Sequence, residues 1–404
     1  MTTVETDVQA LEQQHVLQTY RRAPVVFTRG EGCYLWDTAG TRYLDLVSGI
    51  GVVSLGHANP ALASALAEQA STLMHTSNLY FHPLQGQVAE RLADLSGLSR
   101  AFFCNSGTEA NEACLKFARR YWHTAGETGR TQFVAFENAF HGRTIGALSV
   151  TWDEHYRTPF EPLLAGVTWV PPDNPQALLD AVSSSTAAIV MEAIQGEGGV
   201  RPLSPALADA IRTAQASTGT LLIADEVQCG LGRTGVAFGY QRLGLKPDLA
   251  ALGKALGAGM PVGAALLSEQ VARAVSFGDH GSTYGGNLMA CRAALVFLKA
   301  LTEGGLMDRV TSVGAMLEAG LRRLAARHPV IREVRGAGIM WGIDLHVDAT
   351  PYVSKALASG LLINRTAGTV IRLLPPYVLS KSQAEDTLGR LDAVFTQVAQ
   401  EQAA

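Results

Sequence analysis

The sequence has few of the residues that mark several large classes of protein. Its 404 residues include five cysteines, which are scattered and odd in number and lack the spacing of metal ligands. Charged residues make up 17% of the chain, and the net charge is −4, with no basic stripe or tail. These absences argue against a disulfide-stabilised protein, a metal site, and a nucleic-acid or membrane partner. The cysteines are interpreted as free thiols in a reducing compartment.

The first residues of the sequence also lack the pattern of a secretory leader. The first twenty residues carry acidic and polar groups where a signal peptide has a basic end followed by an apolar run. No internal repeat or low-complexity linker is visible. We therefore expect a cytoplasmic protein with closely packed domains. With 47% hydrophobic residues, the chain can bury a large core, and its length favours one large and one small domain.

Lys254 is the single charge in an apolar stretch, residues 249–267. A membrane helix is one interpretation, but Pro261 and four glycines interrupt the stretch and no aromatic or basic belt flanks it. A lysine that reaches solvent beside a packed loop is the second. The third is a reactive amine, because desolvation lowers a lysine pKa and the neutral amine forms Schiff bases with carbonyl compounds, including pyridoxal phosphate (PLP). The choice between a solvent-reaching lysine and a reactive amine depends on the residues that accompany Lys254.

The chain alternates between short apolar runs and amphipathic segments from about residue 100 to about 270. Such alternation is typical of a largely parallel sheet covered by helices, with strands predicted at 101–105, 132–136, 187–193 and 221–225. We predict an arm and part of a small domain over 1–58, a large domain over 59–300, and a C-terminal α+β domain over 301–404.

Three local signals predict where elements begin. The turn 37–40 joins two strand-like runs, 32–36 and 42–46, into a hairpin. Asn59 followed by Pro60 predicts a helix from 60 to about 74. A capping box formed by Ser382 and Glu385 predicts the start of the last helix.

Two segments of the large domain could form a ligand site with Lys254. Gly107 and Thr108 follow an apolar strand and open a helix, which suits an anion, although an ordinary capped helix has the same pattern. Asp225 ends a buried strand 29 residues before Lys254. An aspartate there can keep a pyridine nitrogen protonated, and a solvated acid is the alternative.

Two more segments add to this set. Phe140 offers a flat face for a ring, and Arg143 offers a bidentate fork for a carboxylate. The loop 281–287, which contains Ser282 and Thr283, is rich in hydroxyl groups and suits a phosphate. No segment is decisive alone, but their joint presence around a lysine in an apolar stretch predicts one cofactor site.

Together these segments resemble the class III, fold-type I PLP-dependent aminotransferases, and most closely the acetylornithine aminotransferases. The resemblance runs from about residue 29 to about 376, and its motifs are NSGTEAN, AFHGRT, EAIQGEGGV, DEVQCGLGRTG, GKALGAGMPVG and HGSTYGGN. It implies an α/β fold in which a large PLP-binding domain has a mostly parallel seven-stranded sheet and a smaller domain is α+β. It also implies a homodimer with the active site at the interface.

The resemblance assigns roles around the cofactor. Lys254 would form the Schiff base with PLP and move the proton, and Asp225 would partner the pyridine nitrogen. The remaining implied cofactor contacts are Gly107 and Thr108 to the phosphate, Phe140 on one face of the ring, Val227 and Gln228 on the other side, and Thr283 from the second subunit.

The resemblance also implies a substrate pocket with two arginines. Arg143, with Ser282 beside it, would bind the carboxylate distant from the reacting carbon. Arg372 would grip the carboxylate next to that carbon in glutamate or 2-oxoglutarate, although a surface arginine on a strand is the alternative from composition alone. Glu197 would pair with Arg372 while the first substrate is bound, because an unpaired arginine in an apolar pocket is costly.

The implied reaction moves the terminal amino group of N-acetylornithine to 2-oxoglutarate, giving N-acetylglutamate 5-semialdehyde and glutamate in arginine biosynthesis. Several segments also resemble enzymes that act on carrier-protein-bound aminoadipate semialdehyde in lysine biosynthesis. Ornithine and 4-aminobutyrate aminotransferases share nearly all the cofactor residues. An aminomutase or racemase, which needs no keto acid, and a non-catalytic binding protein are alternatives of other classes. The motifs do not distinguish between these amino donors or between arginine and lysine biosynthesis. They also do not predict whether dimers assemble further.

Overall fold

A computed structural model describes residues 7–403, and a seven-stranded sheet lies at its centre. Six strands run in the same direction, and Gly263–Leu267 is antiparallel to both of its neighbours. The predicted mostly parallel seven-stranded sheet is therefore confirmed. In sheet order the strands are Arg100–Cys104, Gly263–Leu267, Leu249–Leu252, Leu221–Asp225, Thr186–Met191, Gln132–Phe136 and Val167–Val170.

The central strands are almost entirely apolar because helices cover both faces of the sheet. Every residue of Thr186–Met191, Leu221–Asp225 and Leu249–Leu252 is buried. The apolar stretch 249–267 forms a strand, a 3₁₀ turn at Lys254–Gly257, and a second strand. Within residues 7–403, no helix is long and apolar enough to cross a membrane.

The helix predicted from Asn59 is present as Pro60–Thr72. The Asn59 side chain accepts a hydrogen bond from Leu62 N at 3.0 Å, which satisfies one of the free amides of the first turn. The other helices of seven or more residues are Val8–His15, Gln85–Ser96, Gly107–Thr124, Pro175–Ala181, Pro205–Thr218, Leu288–Thr302, Leu306–Arg327, Thr350–Ala358 and Lys381–Ala403. Shorter helical segments are Ser48–Gly51, Ile145–Ser149, Glu154–Arg157, Thr158–Phe160, Gly239–Arg242 and Glu269–Ala272.

The predicted capping box of the last helix was wrong by two residues. Gln383 N donates to Ser380 Oγ at 3.2 Å, and Ser380 N donates to Gln383 Oε1 at 2.9 Å. Both serines have a suitable acceptor residue three positions later, and the earlier pair lets the helix begin at Lys381. The box of Ser380 and Gln383 therefore replaces the predicted one of Ser382 and Glu385.

Two four-stranded sheets lie outside the central one. The predicted hairpin is confirmed, since Tyr34–Asp37 pairs antiparallel with Arg42–Asp45. It joins Phe27–Glu31 on one side and Leu361–Leu362 on the other, so this sheet combines N-terminal strands with one strand of the C-terminal region. The other sheet has the order Ile331–Ala337, Met340–Leu345, Val370–Leu373 and Asn364–Thr366, and a small ribbon pairs Ile194–Gln195 with Arg201–Pro202. The domain boundaries at 58 and 300 remain predictions.

Candidate active site

A cavity of about 240 Å³ lies where the parallel strands end. Nine of the twelve predicted site residues line it, and a neighbouring cavity of about 800 Å³ shares Phe140 and Glu197 with it. The full lining is Gly107, Thr108, Asn111, Phe140, His141, Gly142, Arg143, Glu192, Glu197, Asp225, Val227, Gln228 and Lys254. The sequence motifs therefore meet at one edge of the sheet.

Lys254 opens the 3₁₀ turn after the strand Leu249–Leu252. Its φ of 36° lies in the left-handed region, which is an uncommon conformation for a residue with a side chain. Burial lowers the pKa of Lys254, and the carboxylates of Glu197 and Asp225 oppose that effect without cancelling it. The net downward shift increases the fraction of neutral amine, which is the nucleophilic form.

Asp225 is held in the cavity wall by three hydrogen bonds. Its Oδ2 accepts from Asn111 Nδ2 at 2.8 Å and lies 2.8 Å from His141 Nδ1, and its Oδ1 accepts from Val227 N at 3.0 Å. Burial works to lower the pKa of His141, but the hydrogen bond and charge of Asp225 outweigh it and raise that pKa. Asp225 is 4% exposed, and these contacts stabilise a buried carboxylate.

The helix Gly107–Thr124 points its first turn at the other end of the cavity. A Cβ on Gly107 would lie 2.5 Å from Val227 Cγ1, so glycine allows the helix to approach the Val227 wall. Thr108 Oγ1 lies 2.9 Å from Thr144 Oγ1 and accepts a hydrogen bond from Arg143 N at 3.2 Å. The free amides of a first helical turn and these hydroxyl groups form a site suited to a phosphate.

Arg143 lies above aromatic side chains at the exposed side of the cavity. Its guanidinium carbon is 3.7 Å from the Tyr156 ring centroid and 5.5 Å from that of Phe140. In the part of the chain that the structure describes, no carboxylate lies within 4.0 Å of this guanidinium. The stacking therefore orients a cation whose hydrogen-bond donors remain available to a substrate carboxylate.

The second arginine is paired. Arg372, on the strand Val370–Leu373, is 1% exposed, and its Nη1 donates to Glu197 Oε1 at 2.5 Å and to Gln228 Oε1 at 3.2 Å. Burial works to raise the pKa of Glu197, but the charge of Arg372 outweighs it and holds that pKa below its usual value. The predicted pairing of Glu197 with Arg372 is therefore present.

Ser282 and Thr283 do not line the cavity of the single chain. Ser282 Oγ accepts hydrogen bonds from Asn105 Nδ2 at 3.3 Å and from Gly285 N at 3.0 Å, and the side chain of Thr283 is exposed. Their predicted roles remain predictions.

The cavity residues fit PLP. Gly107 and Thr108, the carboxylate of Asp225, the side chains of Phe140 and Val227, and Lys254 all line this one cavity. These groups match the phosphate, the pyridine nitrogen, the ring and the aldehyde of PLP. Over residues 7–403, no cluster of three or more His, Cys, Asp or Glu side chains could hold a metal ion.

The chain belongs to the class III aminotransferase family, which it matches over residues 16–395, and it is a PLP-dependent transaminase. It is 43% identical over 388 residues to the acetylornithine aminotransferase of Methanocaldococcus jannaschii, covering 96% of this chain and 98% of that protein. It is 46% identical to the acetylornithine aminotransferase of Archaeoglobus fulgidus over 374 residues, 93% of this chain and 96% of the relative. The crystal structure of ornithine aminotransferase from Toxoplasma gondii has a TM-score of 0.93 and 33% identity, with 97% and 95% of the two chains covered.

Proposed function

We propose that this enzyme moves the terminal amino group of N-acetylornithine to 2-oxoglutarate, forming N-acetylglutamate 5-semialdehyde and glutamate. The observation that carries this proposal is the presence of two arginines in different states. Arg143 is free to bind a carboxylate, and Arg372 is neutralised by Glu197. The names of the relatives that share most of its length support the same amino donor.

Bound PLP supplies an electron-withdrawing ring that stabilises negative charge on the substrate carbon next to the transferred nitrogen. Lys254 Nζ would hold the cofactor at its aldehyde carbon and then, as a neutral amine, take the proton from that substrate carbon. The Asp225 carboxylate would hold the proton of the pyridine nitrogen, and His141 and Asn111 would keep that carboxylate in place. Phe140 and Val227 would fix the plane of the ring.

The two arginines would allow one pocket to accept two unlike substrates. The carbon that carries the transferred amino group of N-acetylornithine has no carboxylate beside it, so Glu197 stays on Arg372 while Arg143 binds the distant carboxylate. The reacting carbon of 2-oxoglutarate adjoins a carboxylate, which would displace Glu197 and bind Arg372. Glu197 thereby prevents an uncompensated buried charge during the first half of the reaction.

We further propose that two copies of the chain form the complete site, with Ser282 and Thr283 reaching the partner's cavity. In support, the single chain exposes a set of large apolar side chains that a monomer rarely leaves in water. They are Leu79, Tyr80, Phe81, Phe277 and Tyr284. A cytoplasmic location would suit the five cysteines, which are all free and buried.

Ornithine is the second candidate donor, because the Toxoplasma gondii protein with a closely similar fold is named an ornithine aminotransferase. Initial rates with N-acetylornithine, ornithine, 4-aminobutyrate and carrier-bound aminoadipate amine separate these donors when glutamate formation is measured. We expect N-acetylornithine to give the highest kcat/KM and no turnover without 2-oxoglutarate. A higher kcat/KM for another amine would transfer the assignment to that amine, and turnover without a keto acid would favour a mutase or racemase.

Replacing Arg143 by alanine is expected to lower kcat/KM for N-acetylornithine by about 100-fold, because a charge-assisted, bidentate contact with its carboxylate is lost. The comparison substrate is 1,4-diaminobutane, which has no carboxylate, and its slow turnover should change less than about 3-fold. Equal losses with both amines would show that Arg143 does not bind the donor carboxylate.

Replacing Glu197 by glutamine leaves Arg372 without a charged partner. We expect kcat/KM for N-acetylornithine to fall by about 10-fold, because the buried guanidinium stays uncompensated while this donor is bound. The half-reaction with glutamate should be unchanged or faster, since its carboxylate no longer displaces an anion. Parallel losses with the two substrates would contradict the proposed exchange.

A further inference from the structure

Glu192 is a buried carboxylate that contacts two walls of the cavity. It follows the strand Thr186–Met191 and is 6% exposed. Its Oε1 accepts a hydrogen bond from Phe140 N at 3.1 Å, and its Oε2 accepts one from Gly196 N at 2.9 Å. Each oxygen of one carboxylate therefore holds a different loop.

The two loops carry residues with different proposed tasks. Phe140 covers the cofactor ring, whereas Gly196 precedes Glu197, the residue that pairs with Arg372. From the opposite side, the C-terminal part of the chain also fixes the second loop, because Thr366 Oγ1 donates to Glu197 O and Arg335 Nε donates to Gly199 O at 2.8 Å. The backbone around Glu197 is thus fixed on both sides, and Glu192 provides the contact from the central sheet.

Burial of the Glu192 carboxylate costs free energy of folding. Burial raises the pKa of Glu192 to about 7, with the nearby charge of His141 acting against that rise. Among residues 7–403, no arginine, lysine or histidine nitrogen forms an ion pair with it. A buried carboxylate without an ion pair costs stability, and an apolar residue of similar size would remove that cost. Its two backbone contacts are the structural gain that an apolar residue could not provide.

We infer that Glu192 is a positioning residue that couples the ring-covering wall at Phe140 to the Glu197–Arg372 pair. A carboxylate reaches both amides only while the loops keep their separation, so displacement of one loop is transmitted to the other. This inference rests on the proposed roles of Phe140 and Glu197.

The chain contains a matched control for this role. Glu226 is 1% exposed, and burial raises its pKa to about 7 as well. Its carboxylate also accepts two backbone hydrogen bonds, from Gly239 N at 2.8 Å and Tyr240 N at 2.9 Å. These partners lie in the short helix Gly239–Arg242, away from the cavity lining. Glutamine at position 226 therefore reproduces the loss of a buried carboxylate without releasing either cavity loop.

The test compares Glu192→Gln with Glu226→Gln. Glutamine has one acceptor oxygen, so at position 192 it can hold one amide while its NH₂ group faces the other. We expect the Kd for PLP, measured by titration of the cofactor-free protein, to rise by about 10-fold. We also expect the preference for N-acetylornithine over glutamate, as a ratio of half-reaction rate constants, to change by about 10-fold. Glu226→Gln should change both quantities less than about 2-fold, even where its thermal unfolding temperature falls equally.

A second variant keeps the test decisive if glutamine prevents folding. Glu192→Asp retains the charge but is one methylene shorter, so it cannot reach both amides. Like Glu192→Gln, it should raise the Kd for PLP and change the preference for N-acetylornithine over glutamate. Shifts no larger than those of Glu226→Gln would overturn the inference, as would a changed PLP affinity with an unchanged substrate preference. If the wild-type protein binds PLP but transfers no amino group, the proposed function is overturned instead. In that case the PLP affinities of the variants still test the effect of Glu192 on Phe140.

Discussion

Replacement of Lys254 by alanine is expected to reduce kcat by about 10⁴-fold, the largest loss of any single substitution in this protein. In the proposed mechanism, Lys254 both holds the cofactor and moves the substrate proton, so the substitution would remove both functions. The residue opens the 3₁₀ turn that follows a strand, and its side chain forms no hydrogen bond within residues 7–403, so the variant should remain folded. The measurement is steady-state turnover of N-acetylornithine with saturating PLP and 2-oxoglutarate.

Two controls separate chemistry from a disturbed cavity. Lys254→Arg keeps a positive charge but has no neutral amine near neutral pH, so it should be as inactive as alanine. Added methylamine should restore part of the activity to Lys254→Ala, because a small free base can occupy the vacated space. Borohydride treatment of the wild-type protein should attach the cofactor to Lys254. A Lys254→Ala variant with turnover within 10-fold of wild type would contradict the assigned role.

Replacement of Asp225 by asparagine is expected to lower kcat by about 10³-fold, because a neutral amide does not stabilise the protonated pyridine nitrogen. Asparagine has one acceptor oxygen, so it can keep the contact with Asn111 or the contact with Val227 while its NH₂ group faces the other donor, and thermal unfolding should be measured beside turnover. Absorbance of the loaded protein between pH 5 and 9 provides a readout that is independent of turnover. We expect the asparagine variant to bind PLP more weakly and to show a different spectrum.

The neighbouring acid is again the control for Asp225. Glu226→Gln alters a carboxylate that is equally buried but contacts the helix Gly239–Arg242. It should leave both the spectrum and kcat close to the wild-type values. If the two variants lost activity equally, the loss would report a damaged strand end, and the assignment of Asp225 to the pyridine nitrogen would fail.

The strands and most cavity residues were predictable because their signals are local. An apolar run followed by a polar residue marks the end of a buried strand, and such ends meet at one edge of a parallel sheet. Asp225 was found in this way, and Lys254 was found as the single charge in an apolar stretch. Gly107 was identified from its place between a strand and a helix. The resemblance then supplied the roles of Arg143 and Arg372, which composition alone leaves open.

The supporting residues were not predictable, because their partners are distant in sequence. Asn111 contacts Asp225 across 114 positions, and Glu192 contacts Phe140 across 52. In the sequence His141 is part of the motif AFHGRT, and its contact with Asp225, 2.8 Å from Nδ1 to Oδ2, was not predicted. Each of these side chains could equally have been an ordinary buried polar residue, and only the fold brings it to the cavity.

The most direct test of the proposed donor is a single half-reaction followed by the absorbance of the PLP-loaded protein. N-acetylornithine, ornithine, 4-aminobutyrate or carrier-bound aminoadipate amine is mixed with the enzyme in the absence of keto acid. The account predicts that N-acetylornithine causes the fastest loss of the cofactor's long-wavelength band and that 2-oxoglutarate restores it. Faster loss with another amine, or no recovery with 2-oxoglutarate, would contradict the account.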